Sequence, residues 1–218
     1  MKSDSVLKVG PGRGFVVEAR IRAKAEGASE GRARYFKRRL ILTAAHCLPH
    51  LPPAHAAANE VDRTYPQLVQ TLDGKRKDVW AECLFVNPVA DIAVLGSPDD
   101  QMVPDESERY DELAKNVAAL KIGSPRSGPG WVLSLEGRWI RTLTKVLSGL
   151  HGTSLLIGPT KSGMSGSPIL NDVGRVVGIV VIGTEINGQL SKLNGPQPIL
   201  VRDLPRWLVD SLVLRRHV

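Results

Sequence analysis

Three short segments of the chain each contain one residue that the surrounding apolar or turn-forming sequence does not require. His46 lies near the end of the segment LTAAHC, Asp91 opens the segment DIAVL, and Ser165 lies inside GMSGSP. A hydroxyl, an imidazole and a carboxylate are the groups that catalysis by a serine nucleophile needs. Each residue alone has an ordinary explanation, as a structural histidine, a strand cap or a turn serine. Together and in this order they predict an active site.

The chemistry assigns a separate role to each of these residues. A serine hydroxyl is a weak nucleophile at neutral pH, so Ser165 needs a base within hydrogen-bond reach, and His46 suits that role because imidazole titrates near neutrality. Asp91 would accept from the other ring nitrogen and stabilise the imidazolium. The glycines around Ser165 allow a sharp turn in which the N–H groups of Gly163 and Ser165 converge on an oxyanion. Cys47, which directly follows the base, is a less suitable nucleophile.

The elements that must position these residues have a β-rich pattern. The chain contains 21 Gly and 15 Pro, which separate short runs rich in Val, Ile, Leu and Trp. Many short strands with few helices favour a barrel or a sandwich. We predict helices at 106–120 and from Pro205 onward. The predicted strands are 14–21, 39–44, 79–86, 92–95, 131–135, 139–146, 154–157, 169–170, 176–182 and 199–201.

Composition excludes several classes of protein. The 218 residues carry a net charge of +7, with 42% hydrophobic and 23% charged residues, so disorder throughout the chain is not expected. No apolar run is long enough to span a bilayer, and the first residues lack the apolar core of a secretory signal, so we expect a cytoplasmic protein with no membrane association. The two cysteines, Cys47 and Cys83, have no spacing suited to zinc.

Two stretches of the chain are much more strongly charged than the rest. Residues 99–112 are strongly acidic and predict a solvated connector, whereas Arg32–Arg39 is a basic run beside a predicted surface loop. A basic run can bind nucleic acid by releasing counterions from phosphates. The chain has no aromatic RNA-binding signature and no recognition-helix pattern, so a solvated loop or a contact with an acidic partner is the better interpretation.

The three segments resemble the signature motifs of the trypsin-like (chymotrypsin-fold) serine peptidases, in that family's order of His, Asp and Ser. Residues 12–17 (GRGFVV), 119–123 (ALKIG) and 177–183 (VGIVVIG) also resemble the bacterial members. The resemblance implies an all-β fold of two six-stranded antiparallel barrels followed by a C-terminal helix. It places His46 and Asp91 in an N-terminal barrel (1–98) and Ser165 in a C-terminal barrel (119–218), joined by the acidic connector (99–118).

The chain also departs from the animal digestive enzymes of that family. Met164 occupies the position where those enzymes have an Asp that pairs with a processed amino terminus, so activation of that type is not implied. Cys47 corresponds to a bridging cysteine, but no cysteine precedes it. We therefore expect both cysteines to be free thiols.

The resemblance also indicates which residues line the primary specificity pocket. None of them is a carboxylate, so a Lys or Arg before the scissile bond would lack a partner, and small or apolar residues are expected there instead. Lys161 keeps an acidic preference open if its ammonium reaches the pocket. The predicted substrate-binding residues are Pro159, Thr160, Lys161, Ser162, Val181, Ile182 and Gly183.

These observations predict a serine endopeptidase that acts on a protein or peptide substrate through an acyl-enzyme and needs no metal or organic cofactor. A regulatory protein partner is possible. One alternative is a catalytically silent binding module of the same fold, because this fold can lose its activity while keeping its cleft. The other is a nucleic-acid-binding protein that uses the Arg32–Arg39 basic face.

Overall fold

A computed structural model describes residues 3–22, 35–53, 59–75, 78–124, 127–146, 153–157, 161–181, 185–186, 189–190 and 200–212. Within these residues the strands are β1 (Val6–Val9), β2 (Gly12–Arg22), β3 (Tyr35–Thr43), β4 (Thr64–Thr71), β5 (Val79–Asn87), β6 (Ile92–Gly96), β7 (Gly128–Leu133), β8 (Trp139–Val146), β9 (Thr153–Ile157), β10 (Pro168–Asn171), β11 (Val176–Ile179), β12 (Glu185–Ile186) and β13 (Gln189–Leu190), and the α-helices are α1 (Pro104–Asn116), α2 (Leu200–Asp203) and α3 (Arg206–Ser211).

The first six strands form a closed antiparallel barrel in the order β1-β2-β3-β6-β5-β4. Strand β6 lies between β3 and β5, and all five of its residues are buried. Its continuous apolar sequence follows from this position, because one face meets the barrel core and helix α1 packs beside it on β3 and β5. The barrel thereby holds both ends of β6, including the turn that contains Asp91, in a fixed place.

Helix α1 begins with Pro104 in its first turn and ends at Asn116, where we predicted a helix over 106–120. It buries Tyr110, whose hydroxyl donates to the Leu95 carbonyl at 3.1 Å. The predicted end is wrong because residues 117–120 leave the helix: the N–H of Leu120 donates to the Val16 carbonyl of β2 at 2.7 Å. Pairing with the barrel replaces the last helical turn.

The second half contains a five-stranded antiparallel sheet in the order β11-β10-β7-β8-β9, together with the short pair β12-β13. The predicted fold class is confirmed as a mostly β protein with a closed six-stranded barrel, a second sheet and few helices. In the described part of this half, the sheet has five strands, where six in a closed barrel were expected. Among the described residues, none of the helices combines the length and apolar character that crossing a bilayer requires.

The strand predicted at 199–201 is wrong where the structure describes it, since helix α2 begins at Leu200. Leu200, Leu204, Leu208 and Leu212 are all buried in the main apolar core. A spacing of four residues places side chains on one face of a helix, which fits the two short helices α2 and α3 on either side of the break at Leu204 and Pro205.

Candidate active site

Two hydrogen bonds join His46 to Asp91, and a third joins Ala45 to Asp91, between the end of β3 and the start of β6. A 3₁₀ turn over Ala45–Cys47 follows β3, and the N–H of Ala45 donates to the Asp91 carbonyl at 3.1 Å. The N–H of His46 donates to Asp91 Oδ1 at 2.9 Å, and His46 Nδ1 lies 2.6 Å from Asp91 Oδ2. Both carboxylate oxygens therefore orient the histidine, which leaves Nε2 as the ring nitrogen directed elsewhere.

The backbone of Asp91 is itself held in an unusual conformation. Its φ of 54° lies in the left-handed region, which Asp and Asn adopt more readily than most residues. The preceding turn is closed by the side chain of Asn87, whose Oδ1 accepts from the N–H groups of Val89 and Ala90 at 3.1 and 3.0 Å. This turn delivers the carboxylate to His46 as the chain enters the buried strand β6.

The Asp91 carboxylate also changes the acid–base behaviour of His46. Its hydrogen bond raises the pKa of His46 above the ordinary value, and partial burial opposes that shift. The His46 side chain keeps 38% of its surface exposed, whereas that of Asp91 keeps 15%. The imidazole is thus open to a substrate on one side and fixed by a carboxylate on the other.

Ser165 lies in a tight loop, the serine loop (residues 161–167), which precedes β10. Two turns shape it, because Met164 N–H donates to the Lys161 carbonyl at 3.1 Å and Ser167 N–H to the Met164 carbonyl at 3.0 Å. Gly163 and Gly166 have φ values of 88° and 84°, which favour glycine. The serine side chain is therefore presented by a loop whose path depends on the residues on either side of it.

The serine loop contacts the barrel beside His46. The Ser165 carbonyl accepts from the Arg13 N–H of β2 at 2.7 Å and lies 3.7 Å from Cys47 Sγ. At Gly12, a Cβ atom would lie 2.6 Å from that carbonyl and 2.5 Å from Cys47 Sγ, so the three segments meet where no side chain fits. The structure thereby brings the backbone of Ser165 against β2 and against Cys47, the residue that follows His46.

Two amides of the serine loop have no acceptor within the part of the chain that the structure describes. Among the described residues, the N–H groups of Gly163 and Ser165 donate to no acceptor, whereas those of Met164 and Gly166 are hydrogen-bonded. No hydrogen bond joins the Ser165 hydroxyl to His46 within the described part of the chain. Such catalytic hydrogen bonds are often long in free enzymes and shorten when substrate binds.

The predicted specificity pocket is only partly described. Pro159, Thr160, Ile182 and Gly183 lie outside the described residues. Val181 is buried, Ser162 is exposed, and Lys161 Nζ lies 3.6 Å from Glu136 Oε1, with both side chains 60% exposed. The Lys161 ammonium is therefore directed to the β7–β8 turn.

The other candidate residues have more ordinary surroundings. Cys47 and Cys83 are free and buried, and burial raises the pKa of both thiols, that of Cys83 to about 11. Because the thiolate is the reactive form, this environment does not activate Cys47. Within the residues that the structure describes, no group of three or more His, Cys, Asp or Glu side chains is arranged to hold a metal ion.

The basic run Arg32–Arg39 is described only from Tyr35. Lys37 Nζ lies 3.1 Å from Glu18 Oε1. The Arg39 guanidinium donates to the carbonyls of Ala114, Lys115 and Val117 at the end of α1. At least two of these cations are therefore engaged within the protein.

Sequence reasoning missed Arg13 and Thr43 as neighbours of the serine loop. Thr43 Oγ1 donates to the Arg13 carbonyl at 2.6 Å, directly before the turn that contains His46. The signal for Arg13 was a charged residue inside the otherwise apolar segment GRGFVV. Nothing in the sequence indicated which element its guanidinium contacts.

A protein-family model described as a trypsin-like peptidase domain matches residues 12–179. Among solved structures, one described as "HtrA-type protease AlgW with decapeptide" matches with a TM-score of 0.42 and 15% sequence identity, covering 88% of this chain. The match spans 59% of the length of that chain. A search among curated proteins found no sequence match.

Proposed function

Because the chain belongs to the trypsin-like serine peptidases, we propose that Ser165, His46 and Asp91 form the catalytic triad of a serine endopeptidase. The observation that carries the proposal is the double attachment of His46 to Asp91, at 2.9 Å through its N–H and 2.6 Å through Nδ1. It fixes the tautomer in which Nε2 can accept a proton.

In the proposed reaction, Ser165 Oγ attacks the carbonyl carbon of the scissile peptide bond as His46 Nε2 takes its proton. The Gly163 and Ser165 N–H groups donate to the oxyanion of the tetrahedral intermediate. His46 then returns the proton to the leaving amine, and the C–N bond breaks to leave an acyl-enzyme ester. A water molecule, deprotonated by His46, hydrolyses the ester and restores Ser165.

Labelling with a fluorophosphonate probe tests this proposal without a known substrate. The probe phosphonylates an activated serine and releases fluoride, so the unsubstituted protein should be labelled. Ser165→Ala should abolish labelling and His46→Ala should slow it by about 10³-fold or more, because the hydroxyl then lacks its base. Ser154→Ala, in strand β9, is the matched serine control and should be labelled normally. A folded but unlabelled protein would favour the silent binding module.

We also propose that the residue before the scissile bond is small or apolar. Support comes from the buried Val181 and from the attachment of Lys161 to Glu136, which draws its ammonium to the β7–β8 turn. A panel of peptides that differ only at this residue should show cleavage after Ala, Val or Leu at least about 10-fold faster than after Arg or Glu. Lys161→Gln should leave this order unchanged. Preferred cleavage after Arg, or after Glu, would contradict the proposal.

A further inference from the structure

Arg13 is a buried cation whose side chain joins β2 to the second sheet. Only 5% of its surface is exposed, although Pro11, two residues before it, is exposed. Its guanidinium donates through Nη1 to the Leu133 carbonyl at 2.7 Å and through Nη2 to the Ser134 carbonyl at 3.0 Å. Burial lowers the pKa of Arg13, and the nearby Glu136 carboxylate opposes that shift.

The backbone of the same residue holds the serine loop. The Arg13 N–H donates to the Ser165 carbonyl at 2.7 Å, and the Arg13 carbonyl accepts from Thr43 Oγ1 at 2.6 Å. One residue therefore connects the residue proposed as nucleophile, the end of β3 before His46, and the end of β7.

The two carbonyls that Arg13 binds belong to the last residue of β7 and to the first residue of the β7–β8 turn. That turn lies against the serine loop. Leu135 is the nearest side chain to the open face of Gly163, since a Cβ built there would be 3.6 Å from Leu135 Cδ2. Glu136 Oε1 lies 3.6 Å from Lys161 Nζ at the start of the loop. Fixing Leu133 and Ser134 thus fixes the start of the turn whose Leu135 side chain lies beside Gly163.

From these contacts we propose that Arg13 is a positioning residue that holds the Gly163 and Ser165 amides in place for the oxyanion. Its backbone fixes the Ser165 end of the loop, and its guanidinium fixes the turn beside Gly163. This inference rests on the proposed peptidase function.

The chemistry of the side chain fits this role better than a role in stability alone. Burying a guanidinium against neutral carbonyls is costly, and an apolar side chain would join two sheets more cheaply. A guanidinium supplies several donors in one rigid plane, which a flexible apolar side chain cannot do. An error of about 1 Å in the placement of reacting groups can cost 10²-fold in rate, so this rigidity has a direct consequence for catalysis.

The test compares Arg13→Met with the unsubstituted protein in fluorophosphonate labelling at increasing probe concentration. Arg13→Met keeps the apolar stem of the side chain and removes the guanidinium donors. We expect the maximal labelling rate constant to fall by about 10- to 100-fold, with the half-saturating probe concentration changed by less than about 3-fold. Arg13→Lys, which keeps one charged donor but not the planar pair, should have an intermediate rate constant.

Arg39→Met is the matched control. Its guanidinium also donates to backbone carbonyls, those of Ala114, Lys115 and Val117 at 2.8, 3.0 and 2.7 Å, but at the end of α1. Its loss should lower the melting temperature and leave the labelling rate constant unchanged. A purely structural role for Arg13 would reduce the fraction of protein that is labelled, which is read from the amplitude, and not the rate constant of the labelled fraction.

The outcomes separate this inference from the proposed function. An unsubstituted protein that folds but is not labelled would overturn both. Normal labelling of the unsubstituted protein, with an unchanged rate constant in Arg13→Met or an equal decrease in Arg39→Met, would overturn only the role of Arg13. If Arg13→Met does not fold, Arg13→Lys decides: a reduced rate constant supports the role, and an unchanged one overturns it.

Discussion

Replacing Gly166 with alanine should destabilise the protein by on the order of 4 kcal/mol or more and abolish labelling of Ser165. A Cβ atom at Gly166 would overlap the carbonyl oxygen of Arg13, and the φ of 84° is unfavourable for any residue with a side chain. The loop cannot move away without losing two hydrogen bonds of 2.7 Å, from Gly166 N–H to the Val180 carbonyl and from Arg13 N–H to the Ser165 carbonyl. Thermal unfolding should show a decrease of roughly 10 °C or more.

Gly174→Ala is the control that separates the two causes of the expected destabilisation, the overlap of the Cβ atom and the strain of a left-handed backbone. Gly174 lies in the turn between β10 and β11 with a φ of 75°, and a Cβ there would meet nothing within 4 Å. Alanine at this position should cost only the strain of a left-handed residue, about 1–2 kcal/mol, and labelling should be retained. If Gly166→Ala cost no more than Gly174→Ala, the serine loop could not be packed on β2 as described.

The sequence was sufficient to predict those parts of the fold that depend on local pattern. The short apolar runs between Gly and Pro predicted a mostly β protein, which is confirmed. The end of α1 could not be predicted, because the local propensity of Ala118, Ala119 and Leu120 favours a helix. A hydrogen bond from Leu120 to Val16, more than a hundred residues away in the chain, overrides that preference.

The candidate site was likewise predictable only where it depends on local sequence. Motif order predicted that His46 and Asp91 act together, and their side chains lie 2.6 Å apart. The reason for the proximity of Ser165 was not readable, since it depends on a backbone hydrogen bond to Arg13 and on the absence of a side chain at Gly12. The local sequence does not indicate which carbonyls of the second sheet the Arg13 guanidinium contacts. Contacts of this kind become visible only in the folded structure.

Asp91→Asn should lower the maximal labelling rate constant by about 10⁴-fold with little loss of stability. Asn adopts the left-handed conformation as Asp does, so the φ of 54° and one acceptor for the His46 N–H can be kept. The amide nitrogen cannot accept from Nδ1–H. The imidazole then places its proton on Nε2, the atom that must receive the proton of Ser165. Unfolding and labelling measured on the same preparation would show a rate loss without a stability loss.

The pH dependence of labelling is a second measurement on the Asp91→Asn variant. Only neutral His46 can accept a proton, so the rate constant should fall as the pH decreases through the pKa of His46, which the Asp91 hydrogen bond raises above the ordinary 6.5. In Asp91→Asn that cause is absent, and the inflection should move to lower pH. Asp73→Asn, which changes an exposed turn aspartate that accepts from Thr71 and Lys75, should alter neither the rate constant nor the inflection. An inflection unchanged in Asp91→Asn would mean that another group titrates, and His46 would not be the base.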